Sequence, residues 1–153
     1  MTPSSPTSSP PRELFAALVR EGDLRGRRVL EVGCGTGALA GALAERAVCR
    51  VWGLDASEER LAIARASVPG VRFKQARAEQ LPFKDGWFER VVISMSLDSV
   101  DRPRALAESR RVLGSGGRIA VANADPAQLE DELVAAGFVA PQIGRIVTTA
   151  EVP

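Results

Sequence analysis

The chain has 153 residues, 45% of them hydrophobic and 25% charged, with a net charge of +1. This balance describes one globular domain with room for a packed core, and near-neutrality provides no bulk attraction for nucleic acid or an anionic membrane. Histidine and tyrosine are absent, which excludes Ser-His-Asp triads, Cys-His pairs and His-ligated zinc and leaves acid–base chemistry to Asp, Glu, Lys, Cys or water.

Residues 1–11, MTPSSPTSSPP, hold Pro, Ser and Thr with one Met. Such a segment cannot bury apolar surface, so a disordered tail is expected, followed by a single domain over 12–153. It lacks the basic and apolar regions of a signal peptide, and no apolar run reaches the length of a membrane span. Pro11 suits the first turn of a short helix that carries Leu14, Phe15 and Leu18 and stops at Gly22. A strand over Val29–Val32 runs into a glycine turn, and a helix over about Ala38–Ala47 packs through Leu39, Ala42 and Leu43. A second strand, Arg50–Leu54, ends at Asp55; Ser57 caps the next helix, with Glu58 and Glu59 in its first turn and Leu61, Ala64 and Val68 facing inward.

A third strand begins at Val71–Phe73, and the segment 76–86 is irregular, with a turn at Asp85-Gly86. A buried fourth strand covers Arg90–Ser94. Asp101 and Pro103 start a helix that Gly114–Gly117 ends, and the fifth strand is Arg118–Ala122. Asp125 caps a helix lined by Leu129, Leu133 and Val134 and closed at Gly137, and one last strand lies within Ile143–Thr149. Alternating strands and helices predict an α/β fold: a Rossmann-like, doubly wound, mostly parallel sheet with helices on both faces and a shortened C-terminal strand region. Ligands on such sheets sit beyond the carboxyl ends of the strands.

The turn VLEVGCGTG, Val29–Gly37, therefore lies where a ligand binds. Its spacing, Gly33-x-Gly35-x-x-Ala38, fits a dinucleotide fingerprint, and Asp55 stands about where a ribose-binding acid belongs. Glu31 weighs against a dinucleotide, because a carboxylate at the loop repels a pyrophosphate and attracts a cation. S-adenosyl-L-methionine carries an ammonium and a sulfonium and no phosphate. Asp55 can accept hydrogen bonds from both ribose hydroxyls. The two cysteines, Cys34 and Cys49, form no disulfide framework, since Cys34 sits within the loop; a reducing cytoplasm is expected.

Four segments in order resemble the class I S-adenosylmethionine-dependent methyltransferases, in the small-molecule group that includes ubiquinone- and menaquinone-biosynthesis enzymes. They are VLEVGCGTG, VWGLDAS (Val51–Ser57), AEQLPFKDGWFERVV (Ala78–Val92) and PRALAESRRVLGSGGRIAV (Pro103–Val121). The resemblance implies S-adenosyl-L-methionine as cofactor, with Glu31, Gly33, Cys34, Gly35 and Gly37 around its methionyl part. It implies Asp55 on the ribose, Ala56 beside the adenine, Ala78 and Glu79 lining the adenine pocket, and Ser94 near the methyl group. It implies methyl transfer to a small-molecule acceptor.

Two departures matter. Arg77 stands where the family often has an Asp that accepts from the adenine amino group, and an arginine has only donors, so the contact is lost unless Glu79 takes it over. Asp98 and Ser99 replace a frequent His pair, which makes Asp98 the candidate catalytic base, with a helix cap as its plainer role. The Asn/Asp-Pro-Pro-aromatic motif of nucleic-acid amino-methyltransferases is missing. The competing reading is a catalytically reduced cofactor-binding domain or a subunit of a larger assembly, because the family's lid helices and second terminal strand are not evident. The fifth strand is then expected to have an open edge, available to a homo-oligomer or a partner chain.

Overall fold

The computed structural model describes residues 9–95 and 97–153. Most of the expected tail, 1–11, lies outside these residues. The elements are α1 (Arg12–Glu21), β1 (Arg28–Val32), α2 (Ala38–Arg46), β2 (Arg50–Asp55), α3 (Glu58–Ser67), β3 (Arg72–Gln75), β4 (Phe88–Ile93), a 3-10 turn (Leu97–Ser99), α4 (Arg102–Val112), β5 (Leu113–Ala122), α5 (Pro126–Ala135), β6 (Val139–Ile143) and β7 (Val147–Glu151). β1, β2, β4 and β5 carry apolar runs, whereas β3, RFKQ, is mostly polar and exposed. The caps expected at Ser57 and Asp125 form, and Asp101, not Asp98, caps α4. The backbone N–H groups of Arg60, Arg104 and Gln128 donate to the side chains of Ser57, Asp101 and Asp125 at 3.3, 3.2 and 3.0 Å.

The seven strands make one sheet in the order β3-β2-β1-β4-β5-β7-β6. β7 runs antiparallel to both its neighbours, and the other pairs are parallel. Side chains alternate across β1. Leu30 and Val32 join one core with Leu106, Val112, Leu129 and Leu133 of α4 and α5. Val29 joins the other with Leu18, Leu39 and Leu43 of α1 and α2. The chain leaves β1 toward β2 and β3, then returns to β4 on the opposite side, so the sheet has its switch point between β1 and β4. Arg90, buried in β4, ties the α1–β1 connection to the sheet: its Nε donates to Gly22 O at 2.9 Å and its Nη2 to Asp23 Oδ2 at 2.8 Å.

The C-terminal third differs from expectation in three ways. Gly114–Gly117 is not a loop before the fifth strand but lies within β5, which pairs from Leu113 opposite Phe88 with an irregularity before Arg90. Val134 does not line the core; it is 55% exposed, because α5 turns only its Leu129 and Leu133 face inward. Two terminal strands form instead of one. β7 covers the edge of β5, with Arg118 opposite Glu151 and Ala122 opposite Val147. The expected open edge of β5 does not exist, and the free edges of the sheet are β3 and β6. β6 carries little strand signal because Pro141 interrupts it; in the structure its ladder is irregular between Val139 and Gln142, with Ala140 left-handed, which an edge strand tolerates.

Candidate functional site

The glycine turn is shaped by its neighbours. The N–H groups of Gly33 and Cys34 both donate to Leu54 O, at 2.7 and 2.9 Å, which folds the turn across the end of β2. Gly33 has φ +77°, and a Cβ there would stand 2.0 Å from Met95 Sδ and 2.9 Å from Met95 Cβ. Gly33→Ala should therefore cost about 2–3 kcal/mol in denaturant unfolding, from overpacking and a strained backbone; an unchanged midpoint would show that Met95 does not hold the turn. At Gly35, φ +56°, a Cβ would meet no atom within 4 Å, so its bare backbone fronts open space.

Asp55, at the end of β2, locks the turn. It is 5% exposed, and its Oδ2 accepts from Gly35 N at 2.9 Å while its Oδ1 accepts from Ser57 N at 2.9 Å. Arg60 also donates to Oδ1, from Nε at 3.2 Å and from Nη2 at 2.9 Å. Burial pushes the Asp55 carboxyl up, but the Ser57 and Gly35 N–H groups and the Arg60 guanidinium outweigh it and hold the group below its ordinary range. The turn, Asp55 and the β3–β4 connection surround a cleft of about 830 Å3, within the range of small-molecule sites.

Gly33, Gly35, Asp55, Ala56, Ala78 and Glu79, all expected from the sequence, line this cleft. Glu79 is oriented by Arg77, whose Nη2 stands 2.9 Å from its Oε2. Arg77 itself lines the cleft and pairs with Glu79, so this wall holds an acceptor as well as donors. Glu31, expected at the methionyl part of the cofactor, lies beneath the turn, 1% exposed, and does not itself line the cleft. Its Oε1 has no hydrogen-bond partner among the described residues. Burial pushes its pKa up to about 8; the Ala40 N–H in the first turn of α2 works against this, and Asp55 adds to it. A buried carboxyl with an unsatisfied oxygen is costly without a ligand, and a cationic group at the turn would satisfy it.

The model of a family described as "Methyltransferase domain" matches residues 30–121, more than half of the chain. The chain belongs to this methyltransferase family. A demethylmenaquinone methyltransferase of Thermus thermophilus is 42% identical over 106 residues, which cover 65% of this chain and 48% of that protein. Methyltransferase GfsG of Streptomyces halstedii is 37% identical over 105 residues, covering 64% of this chain and 38% of that protein. The chain thus spans less than half the length of either relative. The fold matches that of an S-adenosylmethionine-dependent methyltransferase from Thermotoga maritima, with a TM-score of 0.76 at 22% identity over 92% of this chain and 88% of that one. S-adenosyl-L-methionine is the expected cofactor of the methyltransferase domain, and the unpartnered Glu31 oxygen and the bare Gly35 backbone fit it.

Other expected residues of the methyltransferase domain are placed differently. Cys34 and Gly37 belong to the turn but do not line the cleft. The Cys34 thiol is buried near Gly53 and Phe73, and burial, with Glu31 and Asp55 nearby, pushes its pKa up to about 12, so it serves packing rather than nucleophilic chemistry. Ser94 does not line the cleft either; its carbonyl accepts from Asn123 Nδ2 at 2.6 Å, and Met95 takes its place on the wall. Asp98 is not brought into the cleft: its side chain is 89% exposed and faces Arg102 at 3.3 Å, while Arg102 clamps Glu132 at 2.7 Å. Sequence reasoning missed Arg60, Gln75, Met95 and Val100 on the wall. The only signal for Arg60 was its position just past the Ser57 cap, one turn into α3.

Proposed function

We propose that this methyltransferase domain transfers a methyl group from S-adenosyl-L-methionine to a small-molecule acceptor in a reducing, cytoplasmic setting. The observation that carries the reading is the pair of acids at one glycine turn, with Glu31 buried and one of its oxygens unpartnered beside the nearly buried Asp55. Two carboxylates suit a cationic nucleoside and oppose a diphosphate. The cofactor supplies an activated methyl group on a positively charged sulfur. In this reading Glu31 meets the ammonium end, Asp55 accepts from the ribose hydroxyls, and Ala78 and Glu79 bound the adenine. Gly33 and Gly35 let the backbone approach closely, and Met95 closes the wall on the β4 side.

The acceptor follows from what surrounds it. Asp55 and Glu79 already hold donors, and Asp98 points to solvent. A wall without a disposable base favours an acceptor that is already nucleophilic: an amine, a thiolate or a stabilised carbanion. A relative from Bordetella avium, 38% identical over 103 residues, is named a ubiquinone/menaquinone biosynthesis C-methyltransferase, which is consistent with the last of these. The net charge of +1 supports a small molecule over nucleic acid.

Calorimetry with S-adenosylmethionine, S-adenosylhomocysteine and NAD tests the reading. The two sulfur nucleosides should bind and NAD should not, and incubation with pooled small molecules should then consume the sulfonium methyl. Binding of NAD alone, or of none of the three, removes the proposal.

A further inference from the structure

We propose that Arg60 competes with the ribose of the ligand for Asp55, so that a nucleoside occupies the cleft only by displacing Arg60. The inference rests on reading the cleft as a nucleoside site. A carboxylate offers about four acceptor positions, two on each oxygen. In this structure the Asp55 Oδ1 already receives Ser57 N–H and two N–H groups of Arg60, while Oδ2 receives only Gly35 N–H. A vicinal diol that donates to both oxygens finds room on Oδ2 and none on Oδ1.

One of these donors can leave. Ser57 N–H is fixed by the start of α3, and Gly35 N–H belongs to the glycine turn. Arg60 reaches in by a long side chain that is 56% exposed, from the solvent side of α3, and it forms part of the cleft wall. Its guanidinium can swing into solvent or along the wall without disturbing either element. The competent form of the site is then the fraction of molecules in which Arg60 is away from Oδ1, and the apparent affinity falls by that fraction. Arg60 is thus a specificity-determining residue: it handicaps every ligand that needs Oδ1 and leaves untouched one that does not.

Arg60→Gln, with Arg60→Ala as a second variant, is compared with the parent chain by calorimetry. The probes are S-adenosylhomocysteine and adenosine, both without net charge, and 2′,3′-dideoxyadenosine, which lacks the diol, measured by competition. The expected result is a gain of about three- to tenfold for the two diol-bearing ligands and none for the dideoxy compound. In the parent chain, raising salt from about 0.05 to 0.5 M should tighten adenosine binding by screening the ion pair, and the variants should lose this dependence. Unchanged or weaker binding of adenosine in both variants overturns the inference, as does an equal gain for the dideoxy compound. Failure of the parent and the variants alike to bind either diol-bearing ligand instead removes the nucleoside site itself.

Discussion

Replacing Glu31 by glutamine should stabilise the unliganded fold at pH 8 by about 2–4 kcal/mol while weakening cofactor binding there. The Glu31 carboxyl is buried, one of its oxygens has no partner among the described residues, and burial raises its pKa from 4.5 to about 8. Between those values the folded chain keeps a proton that the unfolded chain has released. Stability therefore falls as pH rises through this window, by up to about 1.4 kcal/mol per pH unit, and levels off above it. Glutamine has the same shape and no such proton, so the stability of the variant should not carry this slope. Denaturant unfolding at pH 5, 7 and 9 should show the two proteins converging in acid and diverging in base. Parallel curves would mean that the carboxyl is solvated in the folded chain.

The binding side has the opposite sign. A cationic ligand needs the ionised carboxylate, so its binding below pH 8 expels a proton. The affinity of the parent chain for S-adenosylmethionine should rise by up to tenfold per pH unit between about pH 6 and 7.5, and that of Glu31→Gln should stay flat. One buried acid would thus trade stability for binding.

Asp55→Ala should weaken S-adenosylhomocysteine binding by about 2–3 kcal/mol, roughly a hundredfold, through lost ribose hydrogen bonds. It should also destabilise the fold by about 1–3 kcal/mol, since the Gly35 and Ser57 N–H groups lose their acceptors. Asp55→Asn separates the two effects: it retains one oxygen for a backbone donor but offers the diol a single acceptor. Its binding loss should approach that of alanine, and its stability loss should be smaller. Because the Asp55 carboxyl is held below its ordinary pKa of 3.8, its contribution to stability is full at neutral pH and fades only as pH falls through that lowered value. An unchanged dissociation constant in a folded Asp55→Ala protein would reject the ribose role.

Much of the first two-thirds of the fold was legible because its signals are local. Apolar runs such as Val29–Val32 and Val91–Ile93, broken by caps at Ser57, Asp101 and Asp125, state strand, turn and helix without reference to the rest of the chain. The last third was less so. Pro141 in β6 and the glycines of β5 contradict strand propensity, and only pairing with β7 and β4 makes them strands. Val134 has the right letter for a core and the wrong side of its helix.

The site divides along the same line. Gly33, Gly35 and Asp55 could be located from motif spacing, because a turn at the end of a parallel strand faces the crevice whatever packs behind it, whereas Ala78 and Glu79 came only from the family resemblance. Asp98 and Ser94 could not be judged that way, since a residue just past a strand turns toward the cleft or away from it according to its neighbours. The amino-acid sequence by itself determined the order of the elements as far as α5, the glycine turn and the acids beside it, all of which depend on chemistry between near neighbours in the chain. Only the tertiary structure decided that one Glu31 oxygen lacks a partner among the described residues, that β7 covers β5, and that Arg60 reaches Asp55, because burial and contact depend on distances that folding alone sets.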